Sequence, residues 1–301
     1  MRYRQLGTSD LRVSVVGIGC WAMGGAVEAW GPVDENEAIA AIHEGLALGI
    51  NFIDTAPSYG YGRSEEIVGR ALVGRRNDVI IGTKCGLVWR ERGGRLERNL
   101  RPDSIRRECE ASLRRLRVET IDLYQIHYPD PATPISRSME ALLALQEEGK
   151  IRAIGVSNFS CEQISQARKL GPVVSLQPEL SLLDREATED LLPYCREYGI
   201  GVVTYGSLAR GLLTGKFSPD SRFADLRATD PRFIGPAFRR NLDLVERLRE
   251  VAASLHCSVA QLALGWVIHQ DGVTCAIAGV KRPSQVRENA GAGDLVIPPE
   301  E

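Results

Sequence analysis

Short apolar runs alternate with longer amphipathic ones along nearly the whole chain. The first run, "VSVVGIG", closes near Gly19. "DENEAIAAIHEGLALG" follows, with acidic residues first, apolar residues at helical spacing and Gly49 as a stop. The same change of period recurs in "INFIDTA" then "SEEIVGRALVG", and in "DVIIGTK" then "PDSIRRECEASLRRL". It recurs in "IDLYQIH" then "ISRSMEALLALQEEG", in "IRAIGVSN" then "SCEQISQARKLG", and in "VVSLQPE" then "REATEDLLPYCREYG". "IGVVTYG" precedes a long loop and the helices after Arg240, and "TCAIAGV" precedes "PSQVRENAGAG".

Eight short apolar runs, each followed by helix, predict parallel strands covered on both faces. In 301 residues this is the pattern of an α/β fold, a (β/α)8 TIM barrel, as one domain over 1–301. A doubly wound sheet is the alternative, but "GIGCWAMGG" lacks the third glycine of its phosphate-binding turn. "YRQLGTSDLRVS" predicts an N-terminal β-hairpin over the barrel floor. The connection at 206–239, rich in Gly, Pro and Asp, is too long for a plain βα loop, which points to a functional role. The first and third βα loops are also long and carry Trp21, Trp30 and Trp89.

Composition narrows the function classes. Net charge is −2, from 37 basic and 39 acidic residues, so no nucleic-acid footprint is expected. The seven cysteines are scattered, with no C-x-x-C, which argues against a disulfide framework or a metal site and fits a reducing cytosol. No signal-like or membrane-length apolar run occurs, and a cytoplasmic protein without a membrane partner is expected.

Barrel chemistry sits at the C-terminal ends of the strands. The second run ends at Asp54, with Tyr59 just beyond; the third ends at Lys84 and the fourth at His127. The fifth ends at Ser157 and Asn158, the sixth at Gln177, the seventh at Tyr205 and the eighth at Gly279. Each alone has a plain structural reading: a capping aspartate, a packing tyrosine, a solvated lysine, a core histidine, amides bonding loop backbone. Together at one rim they form a proton-donating set. A free phenol has a pKa of about 10, and a nearby lysine cation is expected to lower it. Asp54 would fix Lys84, and His127 would orient a substrate oxygen. Such a set can protonate a carbonyl oxygen while hydride reaches carbon, and general acid help of this kind gives about 10²–10⁴-fold.

The motifs "FIDTAPSYGYGRSEEIVG", "IGTK", "DLYQIHYPD", "IRAIGVSNFS", "YGSLARGLLTGKF" and "AGVKRPSQVREN" resemble the aldo-keto reductases over nearly the whole chain. The likeness is to a bacterial branch similar to general stress protein 69 and the inositol-operon protein IolS. The resemblance implies a tetrad of Asp54, Tyr59, Lys84 and His127, with Tyr59 as general acid. It also implies NADPH bound across the barrel mouth, with Cys20, Trp21 and Asp54 among its contacts. Ser157, Asn158 and Gln177 would hold the nicotinamide carboxamide, and Tyr205 would stack on the ring. Gly206, Ser207, Leu208, Ala209 and Arg210, with Lys216 and Arg227, would cover the pyrophosphate. Gly279, Val280, Lys281, Arg282 and Gln285 would surround the 2′-phosphate, with Glu288 and Asn289 near adenine. Trp21, Trp30, Trp89 and His127 would face a small carbonyl substrate, and Tyr61 reads as packing.

Two departures stand out. Many relatives read Tyr-Ser-Pro-Leu where "YGSL" stands at Tyr205 to Leu208, and the chain ends at "VIPPEE" where relatives continue into a further helix and tail. A short or truncated tail is expected to widen or weaken substrate selection. Two other readings remain open: a nucleotide-sensing protein similar to potassium-channel β subunits with little turnover, and a Schiff-base aldolase using Lys84. A lysine paired with a carboxylate is a poor nucleophile, which weighs against the second.

Overall fold

The computed structural model describes residues 1–25 and 30–298. Two short strands, β1 (Tyr3–Gln5) and β2 (Arg12–Ser14), pair antiparallel. They form the expected N-terminal hairpin. Its tip closes the barrel floor: Gly7 is left-handed (φ +56°), and a Cβ there would meet the Val174 carbonyl oxygen at 2.2 Å. Arg4 fastens the hairpin sideways by donating to the Ile268 carbonyl at 2.9 Å.

The chain then alternates strand and helix. β3 (Val16–Gly19) leads through a 3-10 turn at Trp21–Gly24 to α1 (Glu35–Ala47). β4 (Phe52–Asp54) leads to α2 (Arg63–Ala71). β5 (Ile80–Cys85) is followed by a small ribbon, β6 (Leu87–Val88) with β7 (Glu97–Arg98), before α3 (Pro102–Leu116). β8 (Ile121–Ile126), α4 (Ile135–Glu147), β9 (Ile151–Ser157), α5 (Cys161–Arg168), β10 (Ser175–Gln177) and α6 (Leu191–Glu197) continue the pattern. β11 (Gly201–Thr204) precedes the long loop, α7 (Gly235–Ser254) and α8 (Val259–His269). β12 (Val273–Gly279) and α9 (Pro283–Ala290) complete the circuit.

The eight parallel strands β3, β4, β5, β8, β9, β10, β11 and β12 close in that order, with β12 returning to β3. This is the (β/α)8 barrel read from the sequence. Local chemistry sets several helix starts. Asp34 accepts the Asn36 and Glu37 amides, and Ser160 and Ser258 form capping boxes with Gln163 and Gln261. The long loop is shorter than its sequence suggests. α7 begins at Gly235 because Pro236 sits in its first turn, where a missing N–H has no consequence.

Inside the barrel lie Phe52, Leu123, Val203, Cys275 and Ile277, with Leu6 and Leu11 of the hairpin beneath them. A larger apolar layer joins strands to helices, and a satellite core of Leu212, Phe233, Phe238 and Leu242 sits under the long loop. Among the described residues no single helix is long and apolar enough to cross a membrane.

Candidate active site

The residues that end the strands do gather at one mouth. Asp54 ends β4 and Lys84 lies one residue before the end of β5, in a neighbouring strand. Lys84 has no exposed surface, and Asp54 is 3% exposed. Lys84 Nζ lies 2.7 and 2.8 Å from the two Asp54 oxygens, 3.0 Å from the Thr55 carbonyl and 3.2 Å from Tyr59 Oη. The ammonium has only three protons, so one donor serves the carboxylate, one Thr55 and one the phenol oxygen. Because Lys84 donates to that oxygen, the proton of Tyr59 is left for another acceptor.

The turn that carries Tyr59 is locked from below. Gly60 (φ +63°) lies so close to the first loop that a Cβ would meet the Gly24 carbonyl oxygen at 2.1 Å. Ser64 donates to the Cys20 carbonyl and bonds Thr55 Oγ1, both at 2.8 Å. Glu65, with no exposed surface, accepts from Thr83 at 2.7 Å and from Arg115 at 2.6 Å. The sequence reading missed these supports. Their signal is the polar pair "SE" at the buried face of α2.

The electrostatics correct one expectation. Tyr59 has its pKa raised well above the ordinary phenol value, first by burial and then by the Asp54 charge. Asp54 balances the Lys84 cation, so Lys84 serves as a hydrogen-bond donor rather than as a net field that favours phenolate. His127 is held well below the usual imidazole range, first by burial and then by Lys84, so it is neutral near pH 7. Its ring stands edge-on to Tyr59, with centroids 5.8 Å apart.

Around this centre, Gln177 turns its amide nitrogen onto Asp54 Oδ2 at 2.8 Å, so its amide oxygen points away from that carboxylate. Ser157 donates to the Gln177 carbonyl at 2.8 Å. Asn158, left-handed at φ +59°, donates to the His127 carbonyl at 3.0 Å and accepts the Tyr205 hydroxyl at 2.8 Å. It ties the ends of β8, β9 and β11 together. Cys20 is fully buried, with its thiol pushed up by burial and its carbonyl taken by Ser64, so it presents no surface at the mouth.

The three tryptophans do not form one wall. Trp21 meets Trp30 edge-on at 5.1 Å and lies 6.1 Å from Tyr59, whereas Trp89 stands edge-on to Tyr61 at 5.5 Å.

The loop after β11 is contorted. Gly206, Ala209, Arg210 and Gly211 all have positive φ (72°, 45°, 55° and 89°). Such backbone in non-glycine residues is held only where the surroundings require it. Ser207 is buried against Thr204 (3.1 Å), Leu208 packs on the satellite core, and Arg210 pairs with Asp230 at 3.0 Å. Cations then converge. Lys216 is lowered by burial and by the charges of Arg227 and Lys281, and Lys281 by burial, Arg282 and Arg227. Partial compensation comes from Asp225 on Arg227 and from Glu37 on Arg282 at 3.3 Å. Gly279 has open space where a Cβ would project, and Val280 is buried with its amide on the Gly19 carbonyl at 3.2 Å. Gln285 accepts the Lys281 amide at 2.9 Å; Glu288 is exposed on α9 and Asn289 is buried beside it. A cluster of mutually repelling cations beside strained, glycine-rich backbone fits the phosphates of a dinucleotide. No metal-binding group of three or more His, Cys, Asp or Glu occurs among the described residues.

Known proteins are similar to this chain over nearly all of its length. The profile of the aldo/keto reductase family matches residues 15–301. The chain is 43% identical over 291 residues to "Aldo-keto reductase YhdN" of Bacillus subtilis, covering 95% of this chain and 87% of that protein. It is 39% identical to the "NADH-specific methylglyoxal reductase" of Escherichia coli, covering 97% of this chain and 93% of that one. The solved glycerol dehydrogenase AKR11B4 of Gluconobacter oxydans is similar at TM-score 0.92 and 43% identity, over 99% of this chain and 92% of that chain. The holo form of aldo-keto reductase AKR11C1 of Bacillus halodurans is similar at TM-score 0.82 and 35% identity, over 98% and 92% respectively. Barrel, buried Asp–Lys–Tyr centre and full-length similarity agree, and the chain belongs to the aldo/keto reductase family.

Proposed function

We propose that this protein reduces small aldehydes or ketones to alcohols with a nicotinamide cofactor, NADPH in preference to NADH, and that Tyr59 is the general acid. The observation that carries this reading is the Lys84–Tyr59 hydrogen bond at 3.2 Å above a doubly bonded Asp54. A reduced nicotinamide at the mouth supplies hydride to the carbonyl carbon. Ser157, Asn158 and the oxygen of Gln177 would hold its carboxamide, and Tyr205 would flank its ring. Neutral His127 donates to the substrate oxygen and orients it toward Tyr59. The Tyr59 proton passes to that oxygen as negative charge develops there, and Lys84 stabilises the phenolate left behind. The raised phenol pKa is compatible with this, because an alkoxide is a stronger base than a phenolate. Trp21 and Trp30 offer the substrate an apolar contact.

The preference for NADPH rests on Lys216, Arg227, Lys281 and Arg282, whose repulsion a 2′-phosphate and a pyrophosphate would relieve. The Escherichia coli relative carries an NADH-specific name, so cofactor choice must be measured on this chain. A Schiff-base role for Lys84 is disfavoured, because the amine is fully buried with its protons engaged. The test is consumption of NADPH and NADH, side by side, with a panel of aldehydes. No turnover with any carbonyl, or full activity in Tyr59→Phe, would overturn the reading.

A further inference from the structure

Gln125 lies one residue before the end of β8 with no exposed surface, in a barrel interior otherwise filled by residues such as Phe52, Leu123 and Val203. A buried amide needs partners. Its nitrogen lies 3.5 Å from Asp54 Oδ2, and its oxygen lies 3.5 Å from the amide nitrogen of Gln177. That same Gln177 nitrogen is 2.8 Å from Asp54 Oδ2. Two amides and one carboxylate therefore close a triangle directly under the Asp54–Lys84 pair.

The barrel makes room for this. Gly155 is the ladder partner of Gln125 on β9, and a Cβ there would meet Gln125 Cγ at 3.0 Å. A Cβ on Gly82 of β5 would lie 3.7 Å from the Gln125 nitrogen. Lys84 is the ladder partner of Gln125 on that other side.

We propose that Gln125 is a positioning residue, which with Gln177 fixes the plane of the Asp54 carboxylate and so the place of the Lys84 ammonium under Tyr59. The Gln125 oxygen faces the same Gln177 nitrogen that Asp54 already holds. A flipped Gln177 would set its oxygen against two acceptors, Asp54 and Gln125. The unflipped amide keeps its oxygen for a ligand. Asp54 by itself keeps the Gln177 nitrogen inward at 2.8 Å, so Gln125 acts on the acid without touching substrate or cofactor. The inference rests on the reading of Tyr59 as the acid.

The test uses the full chain with Gln125→Met, which keeps volume but cannot hydrogen-bond in the same way, and Gln125→Glu. For Gln125→Met, kcat with an aldehyde falls about tenfold, because a small misplacement of a reacting group suffices for such a loss. The NADPH Kd, read without substrate from quenching of tryptophan fluorescence, changes by less than about twofold. In the cofactor-free protein, the side-chain amide resonance of Gln177 shifts. Gln125→Glu places a second carboxylate beside Asp54, so its pH–rate profile gains a limb that the parent lacks. Wild-type kcat in Gln125→Met overturns the proposal. So does a Kd that rises in step with the loss of kcat, or a Gln177 resonance that does not move. If Gln125→Met does not fold, an unchanged pH profile in Gln125→Glu overturns it and an added limb supports it. Failure of the parent protein to reduce any carbonyl would sink the functional reading instead, while the Gln177 resonance would still report on the seat.

Discussion

The Lys84 ammonium donates to Tyr59 Oη at 3.2 Å while a second proton lies between the two oxygens of Asp54, 2.7 and 2.8 Å from Nζ. Stability and chemistry therefore share one buried ion pair. Removing one partner leaves the other charge uncompensated, at about 3–5 kcal/mol. Lys84→Met should lose that much in urea unfolding, and adding Asp54→Asn should restore most of it. Both variants should be inactive. A Lys84→Met protein as stable as the parent would contradict the geometry.

His127 should not titrate in the working range. Burial and Lys84 hold it well below its ordinary value, so kcat should carry no His127 limb between about pH 6 and 8. His127→Gln, which keeps a donor, should retain more activity than His127→Ala. The same shift makes folding pH-dependent. As pH falls through about 6.5 the unfolded chain gains a proton on this residue and the folded one does not, so stability drops. His127→Gln should show a shallower fall in Tm on acidification.

Glu108 carries the opposite sign. It accepts the Gly86 amide at 2.9 Å and the Ser104 hydroxyl at 3.1 Å, and burial pushes its carboxyl up to about 7. Between the unfolded carboxyl value and about 7 the folded state binds the extra proton, so this residue favours folding as pH falls through that window. Above it the folded protein holds a buried charge. Glu108→Gln should match the parent near pH 5 and exceed it near pH 8.5 by on the order of 2 kcal/mol. A difference in Tm that does not grow with pH would refute this.

Lys281 should discriminate between cofactors. Lys281→Met should weaken NADPH binding about tenfold and leave NADH nearly unchanged, and added salt should act in the same direction. Fluorescence titration with each cofactor decides it; equal losses for both would remove the basis for preferring NADPH.

Much of the site was legible because each barrel strand is an apolar run that stops at a polar residue. Asp54, Lys84, His127, Ser157 and Gln177 are found by asking where hydrophobicity ends, and Tyr59 by adding the family motif. What was not legible depends on side-chain direction and on neighbours distant in sequence. Nothing in "VVSLQPE" says that the Gln177 amide faces Asp54, 123 residues away in the chain. The β6–β7 ribbon has two-residue strands, too short to show a period. The phenol's acidity is not legible in the sequence, because burial and the Asp54 charge, both set by the fold, outweigh the lysine cation. Loop position groups Trp89 with Trp21 and Trp30 in the sequence, and its placement beside Tyr61 follows from the fold of the third loop.

The Trp30 carbonyl accepts from Lys281 at 3.0 Å, and the Arg227 guanidinium lies 5.6 Å above the Trp30 ring, which meets Trp21 beside Tyr59. One residue is thus mortised into both rooms of the enzyme. A library that varies the Trp30 side chain to admit bulkier carbonyls would also take away the aromatic face under Arg227, a cation proposed to meet a phosphate, while the backbone acceptor of Lys281 stays. On the proposed reading, substrate range and coenzyme choice meet at this position, and an engineer who wants to move one should redesign Arg227 in the same round.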